Sequence, residues 1–291
     1  MTRMGLLNLN KPPGVTSRWV VDQVQRLVRP AKVGHAGTLD PLACGILVIG
    51  IGQATRLVEY VQQMPKHYRA TFLLGRSSTT EDIEGDVTLL PDPPQPSLDQ
   101  LRQGADALTG AIAQRPPDYS ALKISGQRAY NLARAGREVE LAPRRIEIHR
   151  IEITRYEYPE LCLNVECGSG TYIRSLGRDL AELSGTCAVM SALTRTAIGR
   201  FTLDEALDPE TLTRKNIGEH LLPAVLAVRG TMSECTVSEP EERRIANGLP
   251  VTLQSMEGDF CAALDASGDL VAILARREAE TFTPAKVFPR G

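Results

Sequence analysis

A chain of 291 residues that is 42% hydrophobic and 23% charged has an ordinary globular composition, with length enough for one large domain and a small appendage. No stretch approaches the roughly 18 to 20 apolar residues that span a bilayer. The opening MTRMGLLNLNKPPG meets proline before any sustained apolar core forms, so neither membrane insertion nor secretion is expected. Six cysteines, at 44, 162, 167, 187, 235 and 261, include no CxxC pair, which suits free thiols in the cytoplasm.

The net charge of −2 is unevenly spread: residues 1–76 carry +7 and 115–155 carry +4, with −6 between them over 77–114 and −6 again over 203–260. Two basic blocks folded onto one face would form a local phosphate-binding surface. A chain that is slightly acidic overall is a poor indiscriminate polyanion binder, so any nucleic-acid contact should depend on shape.

In chain order, GLLNLN reads as a strand stopped by Lys11-Pro12-Pro13-Gly14. Thr16 or Ser17 caps a helix with Val20, Val21, Val24, Leu27 and Val28 on one face, ended by Pro30. After KVGHAGTLDPLACG, the run Ile46–Ile51 is a buried strand, Thr55–Val61 opens an amphipathic helix, and 68–74 is a strand with Tyr68, Phe72 and Leu74 on one side. Residues 77–96 are an acidic, proline-rich loop or hairpin rim. Ser97 and Gln100 make a capping box for a helix with Leu98, Leu101, Ala105 and Leu108 inward.

A further helix is predicted near 128–135, closed by Gly136. Strands follow around 146–153, 161–167 and 187–198, and a helix between the last two starts at GSG and ends at Gly185. This is an α+β pattern without regular βα alternation, which excludes a Rossmann or barrel repeat. From residue 203 a linker leads to short strands near 234–237, 250–253, 259–264 and 270–275, with turns at Asn247-Gly248, Glu257-Gly258 and Ser267-Gly268. That spacing suggests a small β-barrel.

The four histidines and six cysteines lie at no metal-ligand spacing, and neither GxxxxGK[ST] nor GxGxxG occurs, so no metal and no nucleotide cofactor is expected. What stands out is Asp40, between a basic segment and a buried strand. An Asp-Pro step is equally at home as a turn initiator, and the glycines at 34, 37 and 45 serve a ligand approach or any tight loop alike. Pattern alone leaves both readings open.

GHAGTLDPLACGIL (34–47), taken with NLNKPPGVTS (8–17), KHYRATFLLG (66–75), PPDYSALK (116–123) and GTYIRSLGRDL (170–180), resembles the bacterial tRNA pseudouridine-55 synthases, the TruB family. The tail, from TVSEPEERRIANGLPV through ALDASGDLVAIL to AKVFP, resembles the small PUA RNA-binding barrel. The resemblance implies a pseudouridine synthase domain over 1–228, with a mixed, largely antiparallel central sheet and flanking helices, and a PUA-like domain over 229–291. It implies an isomerase that converts uridine to pseudouridine at position 55 in the T-loop of tRNA, flipping the base out and using no cofactor. Its partner would be the tRNA T-arm, with no membrane and no obligate protein partner, and the chain would act as a monomer.

The same resemblance assigns residues. Asp40 matches the catalytic nucleophile. Tyr68 matches the tyrosine that stacks on the uracil and takes the C5 proton, and Arg174 the arginine that pairs with the aspartate and keeps it aimed. His35 matches a residue touching the flipped nucleotide, Tyr172 and Leu193 match walls of the uracil pocket, and Lys11 a basic position that is structural or meets phosphate. Asp82 lies in a segment resembling the family's motif loops.

Overall fold

A computed structural model describes residues 4–119 and 141–288, with the backbone of two short strands at 123–124 and 127–128. The first part contains strands β1 (Gly5–Lys11), β2 (Val33–His35), β3 (Cys44–Ile51), β4 (Lys66–Leu74), β5 (Arg76–Ser78), β6 (Val87–Leu89), β7 (Gly110–Gln114), β8 (Lys123–Ile124), β9 (Gln127–Arg128), β10 (Arg144–Glu157), β11 (Glu160–Cys167), β12 (Ala188–Ile198) and β13 (Phe201–Thr202). Its helices are α1 (Ser17–Val28), α2 (Val58–Gln63), α3 (Leu98–Ala107) and α4 (Ile173–Leu183).

One nine-stranded sheet runs β1-β3-β12-β4-β11-β10-β7, with β2 beside β3 and β13 beside β12. Every pairing is antiparallel except that of β12 with β3. That parallel step sets Arg195 opposite Gly45, where a Cβ would stand 2.2 Å from the Arg195 carbonyl oxygen. Only glycine lets the two backbones meet there.

Local chemistry explains the elements. Thr16 caps α1 by accepting from the Trp19 amide, and Val20, Val21, Val24 and Val28 are buried against β1 and β3. The capping box of Ser97 and Gln100 opens α3. Strand β4 alternates, burying Lys66, Tyr68, Ala70, Phe72 and Leu74, and the apolar residues on this face pack with Leu101 and Ala105 of α3 and Leu176 and Leu180 of α4.

Several expectations are adjusted. The segment expected to be a helix from Thr55 is a 3₁₀ turn, Gly52–Leu57, that runs into α2. Leu98, expected inward, is exposed, because it occupies the first helical position beyond the core. The acidic rim does form a hairpin, β5 with β6, but its tip folds inward and buries Asp82. Of the helix predicted near 128–135, Arg128 instead ends the short strand β9, and the rest lies outside the described residues.

The C-terminal part comprises β14 (Ser233–Thr236), α5 (Glu239–Ala246), β15 (Val251–Thr252), β16 (Phe260–Leu264), β17 (Leu270–Arg276) and β18 (Thr281–Val287). Its sheet runs β14-β16-β17-β18-β15, an open path among the described residues rather than a closed barrel. Strand β18 was not anticipated because Pro284 interrupts its pattern; a register irregularity between Ile273 and Leu274 accommodates it. Helix α5 also went unread, although Ser238 and Glu241 form a capping box.

This part is not loosely appended. Ala262, Leu264, Leu270, Ile273 and Phe288 share one core with Leu57, Val61, Ala224 and Val228. Around it, Arg56 donates to the Val287 carbonyl at 2.8 Å and lies over the Phe288 ring, while Lys286 reaches Glu59 and the Tyr60 ring. Among the described residues, no helix is long and apolar enough to cross a membrane.

Candidate active site

Asp40 sits in the loop between β2 and β3, and the residues on either side of it are pinned. The Ser17 hydroxyl, at the start of α1, accepts from the Leu39 amide at 2.8 Å and donates to the Leu39 carbonyl at 3.0 Å. Lys11, at the end of β1, donates to the carbonyls of Pro12 at 2.9 Å, Val15 at 2.7 Å and Pro41 at 3.4 Å. Fixing both neighbours restricts where the Asp40 carboxylate can point, although its side chain remains 36% exposed.

Arg174, the second residue of α4, reaches it with Nε at 3.0 Å from Oδ2. The guanidinium is nearly buried, and each of its three nitrogens faces an acceptor. Nη1 donates to the Thr80 carbonyl at 2.7 Å and lies 3.5 Å from the Asp82 carboxylate, and Nη2 donates to the Tyr119 carbonyl at 3.0 Å. A planar fork with several donors is what such a set of acceptors requires.

Beside this pair lies a cavity of about 310 Å³ lined by the 37–40 loop, Gln62, Lys66, Tyr68, the 168–174 segment, Leu193 and Arg195. Its apolar walls are Leu39, Tyr68, Tyr172, Ile173 and Leu193, so it can hold a planar ring while Asp40 meets it from one side. Tyr68 is 9% exposed. Burial raises the pKa of its phenol, with Arg195 opposing, so it is the neutral phenol near pH 7. Arg195 is itself buried and donates to the carbonyls of Ile46 and Gly37. Tyr172 is held by its backbone: the side chain of buried Gln114 accepts from its amide at 2.9 Å and donates to its carbonyl at 3.0 Å.

The structure thus brings Asp40, Tyr68, Arg174, Tyr172 and Leu193 to one cavity, and leaves His35 and Lys11 outside its walls. Lys11 has no exposed surface and its ammonium is occupied by three carbonyls, so its geometry suits the structural alternative rather than a phosphate contact. His35 is half-buried on β2, and burial lowers its pKa, leaving the imidazole neutral. Sequence reasoning passed over Arg195, Gln114 and Lys66. The last was findable, since Lys66 and Tyr68 are two apart on a strand and share a face. Among the described residues no group of acidic, histidine or cysteine side chains is placed to hold a metal.

The fold has a close structural counterpart. A chain of an H/ACA RNP bound to a substrate RNA containing 2'-deoxyuridine matches it with a TM-score of 0.73 at 22% identity, over 98% of this chain and 85% of that one. Residues 25–173 match the model described as TruB family pseudouridylate synthase, N-terminal domain, which makes the protein a pseudouridylate synthase and therefore an isomerase. Proteins named tRNA pseudouridine synthase B agree along nearly the whole chain. That of Dehalococcoides mccartyi is 39% identical over 98% of this chain and 97% of its own, and that of Thermobifida fusca is 38% identical over 98% of each. The chain belongs to the TruB family.

Proposed function

We propose that the protein isomerises uridine to pseudouridine at position 55 in the T-loop of tRNA, with Asp40 as nucleophile and with no cofactor. The reaction breaks the N1–C1′ bond, turns the uracil and rejoins it through C5. The C5 proton leaves and N1 takes one up, so there is no net redox change. Asp40 attacks covalently or stabilises the cation left at C1′, and Arg174 holds its carboxylate toward the cavity. Tyr68, neutral and buried to its ring, offers a face on which the uracil stacks, and Tyr172 and Leu193 close the sides and keep out water. The target base lies inside a folded tRNA elbow and has to swing out to reach this cavity.

The observation that carries this reading is the Asp40–Arg174 pair at 3.0 Å on the wall of a base-sized cavity. The basic blocks at 1–76 and 115–155 would take phosphates of the T-arm, with His35 meeting RNA beyond the flipped base. Residues 1–228 carry the chemistry in this reading, and 229–291 form a PUA-like unit that assists RNA binding. The protein acts as a cytoplasmic monomer without a protein partner.

The test is tritium release from a T-arm stem-loop RNA labelled at uridine C5, with wild type and Asp40→Asn compared and no cofactor added. Rejoining through C5 expels that hydrogen. Release by wild type alone, with both proteins binding the RNA, supports the reaction and its nucleophile. Equal release by Asp40→Asn removes Asp40 from that role, and no release by wild type removes the reaction.

A further inference from the structure

The turn that brings Asp82 to Arg174 is held in an unfavourable shape. Glu81 has a φ of 61°, in the left-handed region that costs a residue with a Cβ about 1–2 kcal/mol. Such residues persist when their surroundings over-determine them, and here much of the constraint comes from the Glu81 carboxylate. One oxygen accepts from the Ser175 hydroxyl at 2.7 Å and the other from Arg178 Nη1. The main chain is tied as well, with the Glu81 amide donating to the Ser78 carbonyl and its carbonyl accepting from Met190.

Ser175 and Arg178 follow Arg174 by one and four residues on α4. One short helical stretch therefore grips three consecutive residues of the hairpin tip, namely the Thr80 carbonyl and the Asp82 carboxylate through Arg174, and Glu81 through the other two. Arg178 is braced in turn by Asp179 and by the Arg115 carbonyl. Glu81 does not line the cavity, so it is outside reach of a base bound there. If this turn relaxed toward the right-handed region, Arg174 would lose two of its acceptors and the constraint that points Nε at Asp40.

We propose that Glu81 is a positioning residue: by locking the 80–82 turn onto α4 it fixes the Arg174 guanidinium between Asp82 and Asp40. The inference rests on the reading in which Asp40 and Arg174 act on uridine.

The full-length protein is assayed for single-turnover tritium release and for affinity toward the C5-labelled T-arm stem-loop, as wild type, Glu81→Ala, Glu81→Gln, Glu81→Gly and Ser175→Ala. Small displacements of a reacting group cost up to about a hundredfold in rate. Glu81→Ala is expected to slow release about tenfold or more, with RNA affinity changed less than about twofold. Glu81→Gln keeps an acceptor for one partner and should stay within about threefold of wild type. Glu81→Gly relieves the left-handed strain yet supplies no carboxylate, so it should melt above Glu81→Ala and release tritium as slowly. A wild-type rate in Glu81→Ala, or a rate restored by Glu81→Gly, overturns the role. If Glu81→Ala does not fold, Ser175→Ala decides: an intermediate rate supports the proposal and a wild-type rate overturns it. Absence of release by wild type overturns the reading of the site and this role with it, whereas normal wild-type release with unaffected variants overturns the role of Glu81 alone.

Discussion

A Cβ on Gly177 would stand 1.9 Å from the nearest carbon of the Phe72 ring, so α4 rests its bare backbone directly on strand β4. Phe72 is fully buried and lies four residues beyond Tyr68 on the same face of β4, while Gly177 lies three residues beyond Arg174 on α4. The contact that sets the helix-to-sheet distance therefore also sets the spacing between the arginine beside Asp40 and the tyrosine under the cavity. Close packing of a core element fixes the geometry of the site.

Gly177→Ala tests that link. In a helix interior alanine is favoured by about 1 kcal/mol, yet its methyl must displace a buried ring, and overpacking of this kind costs typically about 1–3 kcal/mol. Steric cost should win. The melting temperature is expected to fall by several degrees, on the order of 2–4 °C per kcal/mol at this size. Turnover should fall more than RNA affinity, because α4 carries Arg174. A rise in melting temperature would show that helix and strand have room to part.

Arg174→Lys keeps the charge and loses the fork. A single ammonium cannot serve the Asp40 and Asp82 carboxylates and the carbonyls of Thr80 and Tyr119 from one position. Turnover on the labelled stem-loop should drop about a hundredfold or more, with RNA affinity nearly unchanged, since the guanidinium faces carboxylates rather than phosphates. Thermal stability should fall too, because Asp82, only 4% exposed, is left partly unpaired. Parallel losses of turnover and affinity would count against this division of labour.

Much of this was legible in the sequence, and the gaps have physical causes. Alternation along 66–74 and the valine stripe of 17–28 placed β4 and α1 because one face of each is buried against a single layer. The motif residues of the site came through resemblance, since an Asp-Pro step and a helix arginine look the same in a turn or on a surface. Gln114 and Arg195 were illegible because their roles are long-range: Gln114 clamps Tyr172 across 58 residues, and Arg195 reaches Ile46 across 149. The inward fold of Asp82 was hidden for a related reason, as its acidic, exposed-looking segment turns inward against Arg174 and Met190, both supplied far downstream.

Removal of 229–291 bears on how separable the two parts are. Composition suggests an appendage whose loss would weaken RNA binding and little else. The shared core argues otherwise, because truncation would expose Leu57, Val61, Ala224 and Val228 and abolish the Arg56 contacts with Val287 and Phe288. Exposing the leucine and the two valines costs about 1.5–3 kcal/mol apiece, which is comparable to the whole stability of a domain. The 1–228 fragment is expected to be aggregation-prone or to melt well below the full chain, as read by soluble yield and a thermal scan. A fragment with the full-length melting temperature would refute the shared core.

The pH dependence of stability should carry the mark of two buried lysines. Burial lowers the pKa of Lys11 and of Lys66 from 10.5 to about 8. Below about pH 8 both are protonated in folded and unfolded chains alike, and the folded state bears the full burden of the buried charges. Between about pH 8 and 10.5 the unfolded chain binds more protons than the folded one, so stability rises with pH. Each lysine contributes at most about 1.4 kcal/mol per pH unit. Cys167 opposes them: burial pushes its thiol up from 9.0 to about 11, so above about pH 9 the folded state holds the extra proton and stability falls. The sum is a rise from about pH 8 to 9 that continues at about half that slope to about pH 10.5. Lys66→Met should roughly halve the slope of that rise, whereas Lys11 is left in place because three carbonyls depend on it. Denaturant midpoints for the two proteins across this range check the expectation. A flat profile in wild type, or an unchanged slope in Lys66→Met, would mean that these ammonium groups find water in the folded protein.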